Sequence, residues 1–514
     1  MNSRLLVLLL SCSAVSLAAP KPKLILAVMI DQFRYDYLVR FRSDYSGGFR
    51  QLLTKGAVYT NAHYEHFPTV TAIGHSTFLT GAYPVTSGII GNDWFDLASG
   101  KTVTSVSDDR AGQLGGSGSA GASPRRLLVS TVGDEMKIAN GGQTHLIGIS
   151  WKDRSAILPA WHMGDGAYWV ERKSCELVSS TFYFHELPAW VKDFNQGKPA
   201  QKYAGREWNL APFASKVHKL PAASDEKYCE ALAATPFGNE ILEAFAERAV
   251  QAEQLGRREA TDILAISLSS NDYVGHDYGP DSPEVRAVSV HTDKLLDKFF
   301  KFIDQQVGMD NVLVVLSADH GVAPHPDATS QRKMPGGRMP QRIIQDTVQA
   351  KLEEKFGPGK WILSPSEHSL YFNRELIRQK GLENREVQRT AAEAVLGVPH
   401  VARVYTRDQL SQAIAMEDEV GRRIMNGYHQ ARGADVVVLL EPYWMYAAKG
   451  TTHGTPYAYD THVPVIFMGA GVKPGVYHRR IMPNDIAPTL ASLMGLQPPS
   501  GSAGRVLEEI VNGQ

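Results

Sequence analysis

Three cysteines in a chain of 514 residues are too few for a disulfide framework or a thiolate metal cluster. One of them, Cys12, falls inside an N-terminal leader, so only Cys175 and Cys229 remain once that leader is cut. Those two could pair in an oxidising compartment or stay as free buried thiols, and their placement leaves both readings open. Charge of one sign is also lacking, with 53 Lys and Arg against 54 Asp and Glu. With no global field and no local basic stripe, duplex nucleic acid and anionic membranes are poor partners. Long apolar runs are missing beyond residue 19, so no membrane span is expected in the mature chain.

The leader itself occupies residues 1–19. Arg4 precedes an apolar run from Leu5 to Leu10, and small residues follow up to Ala19. This is the pattern of a secretory signal peptide cut after Ala18 or Ala19, which predicts a soluble periplasmic or secreted protein. The segment Leu9-Leu10-Ser11-Cys12 loosely matches a lipoprotein cleavage box, which would leave Cys12 lipidated instead.

After the leader, apolar runs alternate with helical patterns. Residues 23–30, 144–150, 262–268 and 312–316 read as strands covered on both faces, and residues 124–137, 239–254 and 282–305 read as helices. The alternation predicts an α/β fold with a largely parallel sheet. The expected layout is a core over residues 20–155, 237–330 and 433–514, resuming with strands at 434–440 and 463–468. Two insertions interrupt it, an aromatic-rich cap at 156–236 and a second excursion at 331–432. Residues 109–123, rich in Gly, Ser and Ala, read as a mobile surface loop.

Polar residues follow the strands in order. Asp31 follows the first run, Lys152 and Arg154 the next, Asp272 and His276 the third, and Asp319 and His320 the fourth; His453 lies in Gly450-Thr451-Thr452-His453-Gly454. In open α/β sheets ligands bind outside the carboxyl ends of the strands, so this order marks a site. Three carboxylates and three imidazoles suit a pair of zinc ions, and related divalent metals fit the same donors. Taken singly, each residue has a duller role as a turn, cap or loop residue. His63, His66, His75, His325 and His462 are the other histidines to be weighed, and His75 is expected in packing or behind a ligand rather than on a metal.

Ahead of these, residues 66–75 (His-Phe-Pro-Thr-Val-Thr-Ala-Ile-Gly-His) carry a hydroxyl at Thr71. Pro68 favours extended backbone before it, and residues 72–79 carry a helical pattern closed by Gly81. Thr71 therefore falls at or beside a helix N-terminus, which favours a phosphate, although Thr69 or Thr71 could simply cap the helix.

In that chain order Asp31, Thr71, Asp272, His276, Asp319, His320 and His453 resemble the two-zinc site of the alkaline phosphatase superfamily. Pro68-Thr69-Val70-Thr71 and Gly91-Asn92-Asp93-Trp94 resemble the branch containing nucleotide pyrophosphatase/phosphodiesterases and the Thr-nucleophile, phosphate-irrepressible alkaline phosphatases; Ser150-Trp151-Lys152-Asp153-Arg154 resembles the latter. The resemblance implies a three-layer α/β/α sandwich with inserted caps and two Zn²⁺ per subunit. Asp31, Thr71, Asp319 and His320 would hold one ion, and Asp272, His276 and His453 the other. Asn92, Lys152 and Arg154 would bind the phosphoryl oxygens, and Thr71 would be the nucleophile. The implied activity is hydrolysis of phosphate monoesters through a phospho-threonine, with small phosphate esters as partners and a monomer as the expected assembly. A phosphodiesterase or nucleotide pyrophosphatase on the same scaffold is the alternative, favoured if the 156–236 insertion forms a groove for a second ester group. A sulfatase would need an oxidisable Cys or Ser where Thr71 stands.

Overall fold

The computed structural model describes residues 21–511 apart from 119, 161, 367 and 413–416. The expected leader at 1–19, with Cys12, and Trp161 of the aromatic-rich segment lie outside the described residues. Five adjacent parallel strands make the centre of an eleven-stranded sheet: Val312–Ser317, Leu24–Ile30, Asp262–Leu268, Leu146–Ser150 and Gly166–Val170. Strand His462–Gly469 runs antiparallel against Val312–Ser317, so the sheet is parallel at its centre and mixed towards its edges.

Strand Leu24–Ile30 shows why three layers form. Leu24, Leu26, Val28 and Ile30 pack into one apolar cluster with Phe245 and Phe299 of helices Pro236–Ala252 and Pro283–Val307. The intervening Ile25, Ala27 and Met29 pack into a second with Phe78 and Leu490 on the opposite face. Successive side chains of a strand point to opposite faces, so a continuous apolar run demands cover on both. The result is an α/β/α arrangement. No helix among the described residues is long and apolar enough to cross a membrane.

Several boundaries differ from the sequence reading. The segment read as a loop at 109–123 forms edge strands Ser107–Leu114 and Ala120–Ala122, because its positive-φ glycines, Gly115, Gly116 and Gly118, sit in the turn between them. The helix expected at 124–137 is a short turn Pro124–Arg126 followed by helix Val132–Ala139, whose start is set by a capping box between Thr131 and Asp134. The cap expected from residue 156 begins later, since Gly166–Val170 and Leu177–Ser180 extend the main sheet. Its aromatics are core: Tyr168, Trp190 and Phe194 all pack on Phe245. Cys175 and Cys229 are disulfide-bonded in this region.

The second excursion runs past residue 432. Val436–Leu440 pairs with Ser369–Phe372 and Val401–Thr406 in a separate four-stranded sheet instead of rejoining the core. Helices Arg342–Phe356 and Asn384–Leu396 bury Val348, Leu352, Val387 and Ala391 on that sheet's apolar cluster. An apolar strand reads the same in either sheet, which is why the boundary was misplaced.

Candidate active site

Four of the five central strands deliver their following residues to one edge of the sheet. Asp31 is fully buried directly after Leu24–Ile30. Asp272 and His276 lie one turn apart on helix Ser270–Tyr278, on the same face, with His276 Nε2 3.2 Å from Asp272 Oδ1. Asp319 and His320 follow Val312–Ser317 and are fully buried. His453 arrives from a distant loop, its ring stacked on that of His320 with centroids 3.5 Å apart and 5.1 Å from that of His276.

The three histidines share one orientation. Nδ1–H donates to a backbone carbonyl in each case: His276 to Thr451 at 2.8 Å, His320 to Gly321 at 2.9 Å and His453 to Thr69 at 2.8 Å. Each Nε2 is thereby turned towards the carboxylates, 3.6 Å from Asp31 Oδ1 for His320 and 3.8 Å from Asp272 Oδ1 for His453. His75 differs, because both its nitrogens are spent. Its Nδ1 donates to the Thr71 carbonyl and Nε2 accepts from Ser267, with Nδ1 also 3.3 Å from Asp319 Oδ2. It therefore stands behind Asp319. His63, His66, His325 and His462 do not join the cluster: His63 stacks on His462, His66 packs against the Tyr64 ring with neither nitrogen hydrogen-bonded, and His325 accepts from Asp327 N at the start of a helix.

Burial and mutual repulsion shape the titration. Burial, with Asp272 and Asp319 nearby, pushes Asp31 up to about 7. Asp272 is also buried, yet Lys152 and His276 hold it well below the usual carboxylate range. Burial lowers two of the imidazoles, His320 to about 4 and His453 well below its ordinary value. At His276 the Asp272 carboxylate outweighs burial and lifts the ring to about 9.

Thr71 is the first residue of helix Thr71–Thr80 and is 2% exposed. Neither threonine caps that helix: the cap position is Val70, without a side-chain bond, and the Thr69 hydroxyl donates to the Thr455 carbonyl. Gly81 closes the helix in the left-handed conformation, φ 66°. The helix can sit this close to the cluster because residue 74 has no side chain. A Cβ on Gly74 would lie 2.3 Å from the Asp319 carbonyl oxygen.

Asn92 stands just before strand Asp93–Asp96, and its side-chain oxygen accepts from Ala72 N at 2.9 Å, which leaves the amide NH₂ as a donor beside Thr71. Lys152 is buried, its Nζ 2.6 Å from both Asp31 Oδ2 and Asp272 Oδ2. Burial acts against its charge, but those two carboxylates hold the ammonium above its ordinary range. Arg154 pairs with a different carboxylate: its Nη1 is 3.8 Å from Asp153 Oδ1, to which its backbone N–H also donates, and its Nε is buried without a partner. The expected pair is thus split, with Lys152 inside the carboxylate cluster and Arg154 at its side.

Two groups of donor atoms are close enough to share a cation: Asp272, His276 and His453, and Asp31, Asp272 and His320. The second grouping draws in Asp272 where the sequence reading placed Asp319. Sequence reasoning also missed Gln32, whose backbone N–H donates to Asp319 Oδ1 at 3.0 Å and whose side-chain amide donates to Asp272 Oδ1 at 2.8 Å. Only its adjacency to Asp31 could have hinted at this.

The sequence model of the type I phosphodiesterase / nucleotide pyrophosphatase family matches residues 25–463. The chain belongs to that family. Alkaline phosphatase PafA of Elizabethkingia meningoseptica is 36% identical over 522 residues, covering 96% of this chain and 95% of that protein. A Myroides odoratus protein named a calcium-transporting ATPase is 36% identical over 521 residues, with 96% and 95% covered. The crystal structure of wild-type PafA matches with a TM-score of 0.90 at 35% identity, covering 96% of this chain and all of that one. A further PafA structure is a variant altered at one Thr, one Asn, one Lys and one Arg, in that chain order.

Proposed function

We propose that this family member is an exported, zinc-dependent alkaline phosphatase that hydrolyses phosphate monoesters through a phosphorylated Thr71. The observation carrying the reading is the convergence of three imidazole Nε2 atoms and three carboxylates beside a helix-start hydroxyl. Asp31 Oδ1, Asp319 Oδ2 and His320 Nε2 are buried without a hydrogen-bond partner, and buried acceptors of that kind call for a cation. The donor set fits zinc: Asp31, Thr71, Asp319 and His320 would hold one ion, and Asp272, His276 and His453 the other. When bound, the ions supply positive charge at the attacking and leaving oxygens and make the Thr71 hydroxyl more acidic.

The chain's own residues do the rest. Thr71 Oγ attacks phosphorus as the ester's alcohol leaves, and water then cleaves phospho-Thr71 to release phosphate. The Asn92 amide NH₂, Arg154 and Lys152 hold the non-bridging oxygens, charge stabilisation being most of what phosphoryl transfer requires. Two cations at that position favour a dianionic monoester over a monoanionic diester. The PafA variant supports the same four residues. Its Thr and Asn are as far apart in the chain as Thr71 and Asn92, and its Lys and Arg as Lys152 and Arg154. Tyr168, Trp190 and Phe194 of the aromatic insertion pack on Phe245 of helix Pro236–Ala252, which favours a core role for them over a groove for a diester's second group. The leader at residues 1–19 supports export.

Acid quenching during turnover tests the mechanism. Labelled phosphate is expected on Thr71, and Thr71→Ala is expected to lower kcat by about a thousandfold or more. Full turnover by Thr71→Ala with metal bound would refute the nucleophile. Chelation should abolish activity and zinc restore it, and kcat/KM for an aryl phosphate should exceed that for the matching diester.

A further inference from the structure

A cavity of about 300 Å³ opens beside Asn92. Phe67 and Val70, from the segment leading into Thr71, form one side with Trp94, and His368, Ser369 and Tyr371 of the four-stranded sheet form the other. Ring and aliphatic faces make up part of its walls, beside the polar Asn92, Asp93, Ser366 and Ser369. Phe67 meets the His368 ring edge-on with centroids 5.0 Å apart. The Tyr371 hydroxyl is spent on the Arg432 carbonyl, which leaves its ring to the cavity.

His368 is a polar lining group left unspent. Neither ring nitrogen has a hydrogen-bond partner, and burial pulls the imidazole down to about 4, so the ring is neutral near pH 7 and offers one donor and one acceptor. It also lies against the catalytic segments. A Cβ on Gly454, the residue after His453, would stand 3.1 Å from His368 Nε2 and 3.7 Å from a Val70 methyl. The cavity thus adjoins both the Asn92 side and the His453 side of the site. Its volume is at the small end for ligand pockets, enough for one ring system and too little for a lipid chain or a peptide. Asp93, exposed at its rim, disfavours an anionic occupant.

Resting on the phosphatase reading, we propose that this cavity receives the organic group of the ester. The preferred substrates are phosphate monoesters of a single flat, uncharged aromatic or heteroaromatic alcohol, with His368 hydrogen-bonded to the polar edge of the ring. The substrate class is set by the second insertion, whose His368, Ser369 and Tyr371 close the cavity over the phosphoryl site.

Calorimetric titration of the metal-loaded enzyme with inorganic phosphate, methylphosphonate and phenylphosphonate tests this without any leaving-group chemistry. Phenylphosphonate is expected to bind about tenfold tighter than methylphosphonate, the lower end of what burying one apolar ring supplies. Ser369→Phe, which fills the cavity, should erase that difference. His368→Phe should keep the phenyl gain and remove the additional gain of 3-hydroxyphenylphosphonate. Equal affinities of methyl- and phenylphosphonate in the wild-type enzyme, with phosphate still bound, would overturn the subsite alone. Failure to bind phosphate at all would overturn the phosphatase reading and the subsite with it.

Discussion

Gln32 carries no catalytic chemistry, yet its two donors reach Asp319 and Asp272, one in each half of the proposed ligand set. Gly275 makes room for it, since a Cβ there would stand 1.8 Å from Gln32 Oε1. Partners that orient metal ligands matter nearly as much as the ligands, so Gln32→Ala is expected to weaken zinc binding about tenfold to a hundredfold, read by competition with a chromophoric chelator. Lys152 gives a second expectation at this scale. Its ammonium is the counter-ion of Asp31 and Asp272, so Lys152→Ala should destabilise the metal-free protein by about 3 kcal/mol in denaturant melts, and by less with zinc bound. Asp31, Asp272, Asp319 and the three histidines were legible in the sequence because each follows a strand or sits in a Gly-rich turn in a recurrent order. Gln32 and His368 were not, because an amide beside an Asp and a lone His belong to no pattern. Their roles exist only once segments distant in the chain touch.

At the scale of elements, helix Thr71–Thr80 is positioned by a contact rather than by a cap. Gly74 rests on the Asp319 backbone, and Asn92 ties down Ala72 N. Gly74→Ala is expected to push the helix start off the cluster and lower kcat/KM by about a hundredfold, with the far-ultraviolet circular dichroism unchanged. The central strands were readable because burial on both faces leaves an uninterrupted apolar run. The limits of the insertions were not, since Gly166–Val170 and Val436–Leu440 carry the same kind of run and differ only in which sheet they join. The edge hairpin at Ser107–Leu114 was hidden for the converse reason, because edge strands need few large apolar residues and its turn glycines dominate the composition.

For the whole molecule, pH dependence has a source far from the site. Glu243 is buried on helix Pro236–Ala252; burial, with Glu247 nearby and only Lys298 opposing, pushes it up to about 7. Between its ordinary value of 4.5 and about 7 the folded chain holds a proton that the unfolded chain has released, so stability falls as pH rises across that window. Asp31 and Asp460, also raised to about 7, add to that fall, so Glu243→Gln should lessen its slope in a series of melting curves, and an unchanged slope would exclude a contribution from Glu243. The hydrogen bond from His453 to the Thr69 carbonyl links residues 384 positions apart in the chain. A chain still being synthesised therefore has an incomplete ligand set until most of its length has emerged. Metal added to a refolding chain is therefore expected to be bound by the proposed ligand set only after most of the structure has formed, and an ion captured in the first folding phase would overturn that order.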